Sequence, residues 1–293
     1  MTACRSLVLA ATALLMNIAC RGSSGPKVTL RYHPPAGASY HYALEQQNSV
    51  RMEGGPMSAM PEQLFTMRLF YTQVVTGPAQ GGVRVTVTFD STAIEASGMG
   101  AGAMGPALDR MRGMKSDIVY DDRMRVVTAA FSGLAGAPSP MTEQMGTSVK
   151  TMVLPLPEGP VGVGDSWVTE QELPLGRQLN ASQPIKSRTK LTVKEIQVAG
   201  ADTSVLLAIE TEFPGGPIEF KQEAAEGTRG GKGTMRLSGT LSGEQLYSLT
   251  KSAQVRSTMG GTMRINVKGP PPAGSEMAMA MTQHTSLRLT EAK

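Results

Sequence analysis

The sequence predicts a mainly β chain: a large curled antiparallel sheet, half-barrel or barrel-like, with one or two short helices. Three observations predict it. Apolar and polar residues alternate singly in run after run, most cleanly where Val83, Val85, Val87 and Phe89 interleave with Arg84, Thr86, Thr88 and Asp90. The 33 glycines and 19 prolines among 293 residues cut the chain into many short elements. One-sided alternation marks a sheet wetted on a single face, hence antiparallel. About a dozen such strands are expected to curl around their own core, with helices over the open mouth.

The first twenty residues, MTACRSLVLAATALLMNIAC, carry a basic start at Arg5, an uncharged apolar run from Ser6 to Met16, and a close on Ile18-Ala19-Cys20. That is the layout of an export signal over residues 1–19, too short to cross a bilayer as a permanent helix. Ala19-Cys20 resembles a bacterial lipobox, with Asn17 where such motifs carry Leu. Lipidation is expected at Cys20, which would then head the mature chain. An ordinary signal cut nearby would instead leave Cys20 as a lone thiol. Arg21 follows the cysteine, and a non-acidic residue there resembles the pattern sent to the outer membrane. The expected address is therefore exported, lipid-anchored in the envelope, at the outer membrane. Residues 20–27 read as a flexible tether and 28–291 as one β-rich domain.

Within that domain Val28 to Tyr32 reads as a first strand, ended by Pro34-Pro35. Tyr40 to about Met52 follows a turn at Gly37, with Tyr40, Tyr42 and Leu44 on one face. Residues 56–62 are a loop. Leu64 to Thr76 and the Val83 strand form a hairpin through Gly77-Pro78 and Gly81-Gly82. Residues 106–112 and 139–152 are the candidate helices, the second capped by Ser139 with Pro140 at its first position. Ile118 to Tyr120 and Met124 to Thr128 form a tight hairpin, whose Asp121-Asp122 suits a turn far better than catalysis.

Gly164-Asp165-Ser166-Trp167 echoes Gly37-Ala38-Ser39-Tyr40: each glycine turn aims an aromatic into the core. The echo divides the domain into two similar halves, 28–157 and 158–291. A strand over 185–198 carries Lys186, Arg188, Lys190 and Lys194 on one face, a stripe that reads as a solvated surface. Gly215-Gly216-Pro217, Leu241-Ser242-Gly243-Glu244 and Gly260-Gly261 read as turns, and 227–233 as a mobile hairpin loop. The last strand, Met277 to Thr290, sets Met277, Met279, Met281, Leu287 and Leu289 on one face.

Composition narrows function. The formal charge is +4, scattered without a basic run, and aromatics are only 4%, so nucleic-acid binding is not expected. Three histidines, His33, His41 and His284, stand far apart with no ligand spacing, so no metal and no cofactor are expected. No G-x-S-x-G elbow or dinucleotide fingerprint is present. The two cysteines, Cys4 and Cys20, leave no disulfide once the leader is removed. Twenty methionines against six Phe, six Tyr and one Trp fill space with flexible thioethers, as loose core packing or as an adaptable apolar surface.

The opening Gly37-x-x-Tyr40-x-Tyr42, the mid-chain Val163-Gly164-Asp165-Ser166-Trp167 and the glycine-separated strands after it resemble an uncharacterised family of bacterial envelope proteins, a domain of unknown function. That resemblance implies no activity and transfers no site residues. By architecture the chain is also similar to periplasmic lipoprotein carriers with a curved half-barrel sheet. The expected function is non-catalytic: binding of an apolar ligand or lipidated partner in a curved sheet, with Met277, Met279, Met281, Trp167 and Tyr40 as candidate ligand contacts. The expected partners are the membrane, through the N-terminal lipid, and a hydrophobic small molecule or envelope protein. The alternative is a structural or protein-interaction module of the envelope, with a hydrolase a distant third.

Overall fold

The computed structural model describes residues 25–54, 58–97, 111–132, 153–173, 181, 184–222, 231–269 and 276–293. The leader, Cys20 and the candidate helices over 106–110 and 139–152 lie outside them.

Eleven strands form one antiparallel sheet: β1 (Ser39–Met52), β2 (Gln63–Ala79), β3 (Gly82–Ala96), β4 (Lys115–Tyr120), β5 (Val126–Ser132), β6 (Ser166–Leu173), β7 (Ile185–Ala199), β8 (Asp202–Gln222), β9 (Gly231–Ser248), β10 (Ala253–Lys268) and β11 (Glu276–Ala292). The spatial order is β5-β4-β3-β2-β1-β11-β10-β9-β8-β7-β6. Two meanders therefore meet where the first and last strands pair, Tyr42 opposite Leu289 and Met52 opposite Met279.

The expected curled, barrel-like sheet with helices over its mouth is not what forms. The sheet is open: among the described residues β5 and β6 are its edges and no ladder joins them. No helix occurs among the described residues. The physical reason lies between the edges. The strap 153–158 passes there and is held by both sides, Leu156 N donating to Arg123 O (2.9 Å) beside β5 and Trp167 Nε1 donating to Pro155 O (2.9 Å) from β6. A second strap, 28–33, takes the place of the expected first strand. It makes a single bridge, Val28 to Val161, and Arg31 binds the carbonyl of Pro157 at 2.9 Å.

Several expected turns are also strand interior. β9 runs unbroken through Leu241-Ser242-Gly243-Glu244 and β10 through Gly260-Gly261; the reversal between them is at Leu249–Ser252. Gly215-Gly216-Pro217 is a bulge inside β8, and Gly231 to Gly233, expected in a loop, open β9. Steric need explains these glycines. A Cβ on Gly239, Gly243 or Gly261 would strike the carbonyl of Thr262, Thr258 or Thr240 on the neighbouring strand.

Alternation sets the two faces. The front face buries Val85, Val87, Leu191, Val205, Leu207 and Ile209, each at most 7% exposed. Every Asp, Glu, Lys and Arg of the described strands lies on the back face, where cross-strand pairs neutralise them. Arg68 bridges Glu45 (3.0 Å) and Glu95 (2.6 Å), and Lys194 meets Glu244 (2.7 Å). The stripe of Lys186, Arg188 and Lys190 stands between Glu170 and Glu172 on β6 and Glu210 and Glu212 on β8, so it is no basic surface.

Candidate functional site

The front face has three zones along the strands. At one end all six tyrosines of the chain join one apolar cluster with Leu30, Leu156, Val85 and Leu207. Tyr32 meets Tyr120 edge-on at 5.4 Å, and Tyr42 stacks on Tyr71 at 5.1 Å. Tyr40 donates to Lys251 O (2.6 Å) and Tyr247 to Arg31 O (3.0 Å), fixing β1 and β9 to the loop and strap above them. Burial raises these phenols: Tyr120 is pushed up to about 12, and Tyr32, Tyr42, Tyr71 and Tyr247 go higher.

The middle zone is uncharged and mixes polar with apolar side chains. Gln46 and Asn48 on β1 lie opposite Thr285 and Gln283 on β11 and opposite Met67 and Phe65 on β2, and Thr189 shares a hydrogen bond with Thr211 (2.8 Å) between β7 and β8. Gly243 and Gly261 stand beside Met259 and Leu241.

The far zone is apolar again. One row crosses four strands as Met52, Met279, Ile265 and Leu237. On either side of it run Val50, Met281 and Met263, and Met277, Val267 and Met235. Strand spacing and rise give this patch a span of roughly 14 Å by 13 Å between Cα atoms. Met235 and Leu237 are buried with Ile185, Ile218 and Phe220 in a second cluster, whereas Val50, Met52 and the three β11 methionines remain partly exposed.

The structure thus gathers Met277, Met279 and Met281 in one patch and keeps Tyr40 and Trp167 out of it. Tyr40, 3% exposed, lies roughly 40 Å along β1 from Met52. Trp167 packs into the tyrosine cluster, opposite Leu191. Both close the corners at Gly37 and Gly164, which have matching bonds: Gly37 N to Val75 O (2.9 Å) and Gly164 N to Val193 O (2.8 Å). The residues that sequence reasoning left out of the site, Met52, Met263, Ile265 and Val267, come from strands whose alternation was visible. What was not visible was their register against β11.

Other constellations offer less. A cleft of about 230 Å³ between the edges is lined by Met124, Arg125, Val126, Val153 and Glu170–Glu172. On the back face His41 Nδ1 lies 2.9 Å from the Thr72 hydroxyl, which donates to Asp90 Oδ2 at 2.7 Å. The hydroxyl proton is committed to the carboxylate, so His41 donates to Thr72 rather than activating it. Asp121, read as a turn residue, is one: its Oδ1 accepts from Arg123 N (2.9 Å) and Arg125 N (2.8 Å). Partial burial pushes its carboxyl up, but those amides and the Arg125 guanidinium outweigh this and hold it below the usual range. No group of three or more His, Cys, Asp or Glu placed to hold a metal occurs among the described residues. No helix among them is long and apolar enough to cross a membrane.

No family model matches the chain and no curated protein does. Among the solved structures that are similar, one, described as lipid-protein interactions in lipovitellin, aligns with 89% of this chain at 8% identity and a TM-score of 0.48. This chain spans about a quarter of that one, 26%. Another is a DUF1329 family protein from Desulfovibrio piger, at 12% identity, 86% coverage of both chains and a TM-score of 0.17. Neither assigns a ligand, reaction or partner to this chain.

Proposed function

We propose that this chain is an exported lipoprotein, tethered to the bacterial envelope through Cys20, that holds an apolar ligand or the acyl part of a lipidated partner without catalysis. One observation carries the reading: strand register brings Met52, Met279, Met281, Met263 and Ile265 side by side into one partly exposed apolar patch rich in thioethers. Thioether side chains are flexible and polarizable, and so suit a ligand of variable shape. A leader ending in Ala19-Cys20 would place that surface beside a membrane, and Arg21 points to the outer one.

The reading is tested with the processed full chain and an uncharged, environment-sensitive apolar dye. Dye uptake should saturate, and Met277, Met279 and Met281 changed together to Gln should weaken it by about tenfold or more, since three apolar contacts become polar. Saturable uptake that survives the triple substitution would place the ligand elsewhere. A folded protein with no uptake would refute the holding function. Mass spectrometry of the processed N-terminus checks the anchor: an unmodified thiol at Cys20 or an intact leader would remove it.

A second reading, an interaction module of the envelope, is favoured by the edges. β5 has no further strand beside it among the described residues, carries no charge or proline and exposes Val127, and edges of that kind accept an added strand. Cross-linking in intact cells separates the two readings, because a carrier co-purifies with lipid and a docking module with protein.

A further inference from the structure

Resting on that reading, we infer that the ligand is an uncharged acyl ester, of the glyceride or wax-ester type, rather than a fatty acid or phospholipid. The warrant is the charge pattern of the front face together with the uncharged amides of Asn48 and Gln283 beside the methionine patch. No Asp, Glu, Lys or Arg of the described strands faces this side. Arg51, Arg236, Arg264 and Lys268, each next in sequence to a patch residue, fall on the back by alternation, and Glu53 pairs with Arg51 and Arg264 there. A carboxylate or phosphate brought onto the front would lose its hydration and gain no cation, which costs far more than the same step for an ester.

Two amides at the border of the patch suit a neutral polar group. Asn48 lies two residues from Val50 on β1, and Gln283, its partner on β11, two residues from Met281. That puts their amides roughly 7 Å from the patch, within reach of a group at the head of a chain lying on it. Asn48 is only 7% exposed. Its Oδ1 accepts from Gln46 Nε2 at 3.2 Å, while its NH2 has no hydrogen-bond partner among the described residues. Gln283 Nε2 is committed to Thr285 Oγ1 at 3.0 Å. That NH2 is not sealed from solvent, so it is free to donate to a ligand, and an ester carbonyl accepts from it without bringing charge.

The test uses the processed full chain at about pH 8, where a free fatty acid in water is ionised. Dioleoylglycerol, oleic acid, phosphatidylglycerol and a hydrocarbon of matching length compete for the bound dye. Dioleoylglycerol should bind at least about tenfold tighter than oleic acid or phosphatidylglycerol, and oleic acid should gain as the pH is lowered and its charge is lost. Asn48→Ala should cut the preference for ester over hydrocarbon severalfold, with Gln46→Ala as a second variant if the first does not fold. Equal or tighter binding of either anionic lipid would overturn the inference and leave the holding function standing. So would an ester preference unmoved by both substitutions. Failure of all four to compete while the dye still binds would overturn the acyl class altogether. Absence of dye binding would refute the underlying reading, and would mean that the chain's own residues or a second copy occupy the face.

Discussion

Gly243→Ala puts the packing of β9 against β10 to the test with one methyl group. Gly243 lies inside β9 opposite Met259, and an added Cβ would meet the Thr258 carbonyl oxygen well inside van der Waals contact, with Met259 Cα next to it. Both obstacles are backbone, so no rotamer change relieves them and the strands must part. Overpacking of this sort costs about 1–3 kcal/mol. For a chain of this size each kilocalorie lowers Tm by about 2–3 °C, so a drop of roughly 2–8 °C is expected. Gly159→Ala is the control, because nothing lies within 4 Å of its added methyl. It should be neutral or slightly stabilising, through the smaller entropy of the unfolded chain. Paired urea and thermal unfolding of the two variants gives the difference directly. If Gly243→Ala is as stable as Gly159→Ala, the strands do not approach as described, and Gly243 is better explained as the turn residue that its sequence context suggests.

The tyrosine cluster predicts a pH dependence. Its phenols are raised by burial above their ordinary value near 10, Tyr120 to about 12, so the fold keeps them neutral where the unfolded chain would ionise them. Their contribution is full below about pH 10 and is lost as pH rises through the folded values. Phenolate absorbance should therefore appear together with loss of β-sheet circular dichroism, and independent ionisation of six tyrosines near pH 10 in a folded protein would refute the burial. Tyr247→Phe removes the hydrogen bond to Arg31 O that ties β9 to the first strap, and should cost about 1 kcal/mol in urea unfolding. Leu207→Ala, at a site with no exposure, should cost about 2–5 kcal/mol by the same assay, and a smaller loss for Leu207→Ala than for Tyr247→Phe would reverse the assignment of core and tie.

The alternation of single residues carried most of the fold in legible form. It placed Val85 and Val87 inside, Arg84 and Asp90 outside, and Met277, Met279, Met281, Leu287 and Leu289 of β11 on one face, because period two is set by the strand itself. Glycine misled. Gly215, Gly243 and Gly260-Gly261 have the composition of turns, yet two of these places are close strand contacts and one is a bulge, and steric need between strands leaves no mark in local sequence. The absent closure was equally hidden. It depends on a strap whose hydrogen bonds to Arg123 and Trp167 join residues from opposite halves of the chain. The site was half legible: the β11 methionines stood out, but Tyr40 and Trp167 were grouped with them only as conspicuous side chains, and they serve the packed end instead.

The two faces of the sheet are held to different physical standards, and this ties the stability of the fold to its proposed use. On the back, Arg68 with Glu45 and Glu95, or Lys194 with Glu244, are exposed pairs that contribute little each and mainly keep the surface wet. On the front, exclusion of charge is complete across the described strands, including the middle zone, where Gln46, Asn48, Gln283 and Thr285 stand among Phe65, Met67 and Met259. A neutral surface with amides set among apolar side chains is what an uncharged ester with long tails requires. Gln46→Glu therefore discriminates sharply: with the fold judged by circular dichroism, it should leave the unfolding free energy within about 1 kcal/mol of the parent if Gln46 is wet, yet reduce uptake of the neutral ester. Unchanged uptake would show that the neutrality of the middle zone serves folding rather than binding.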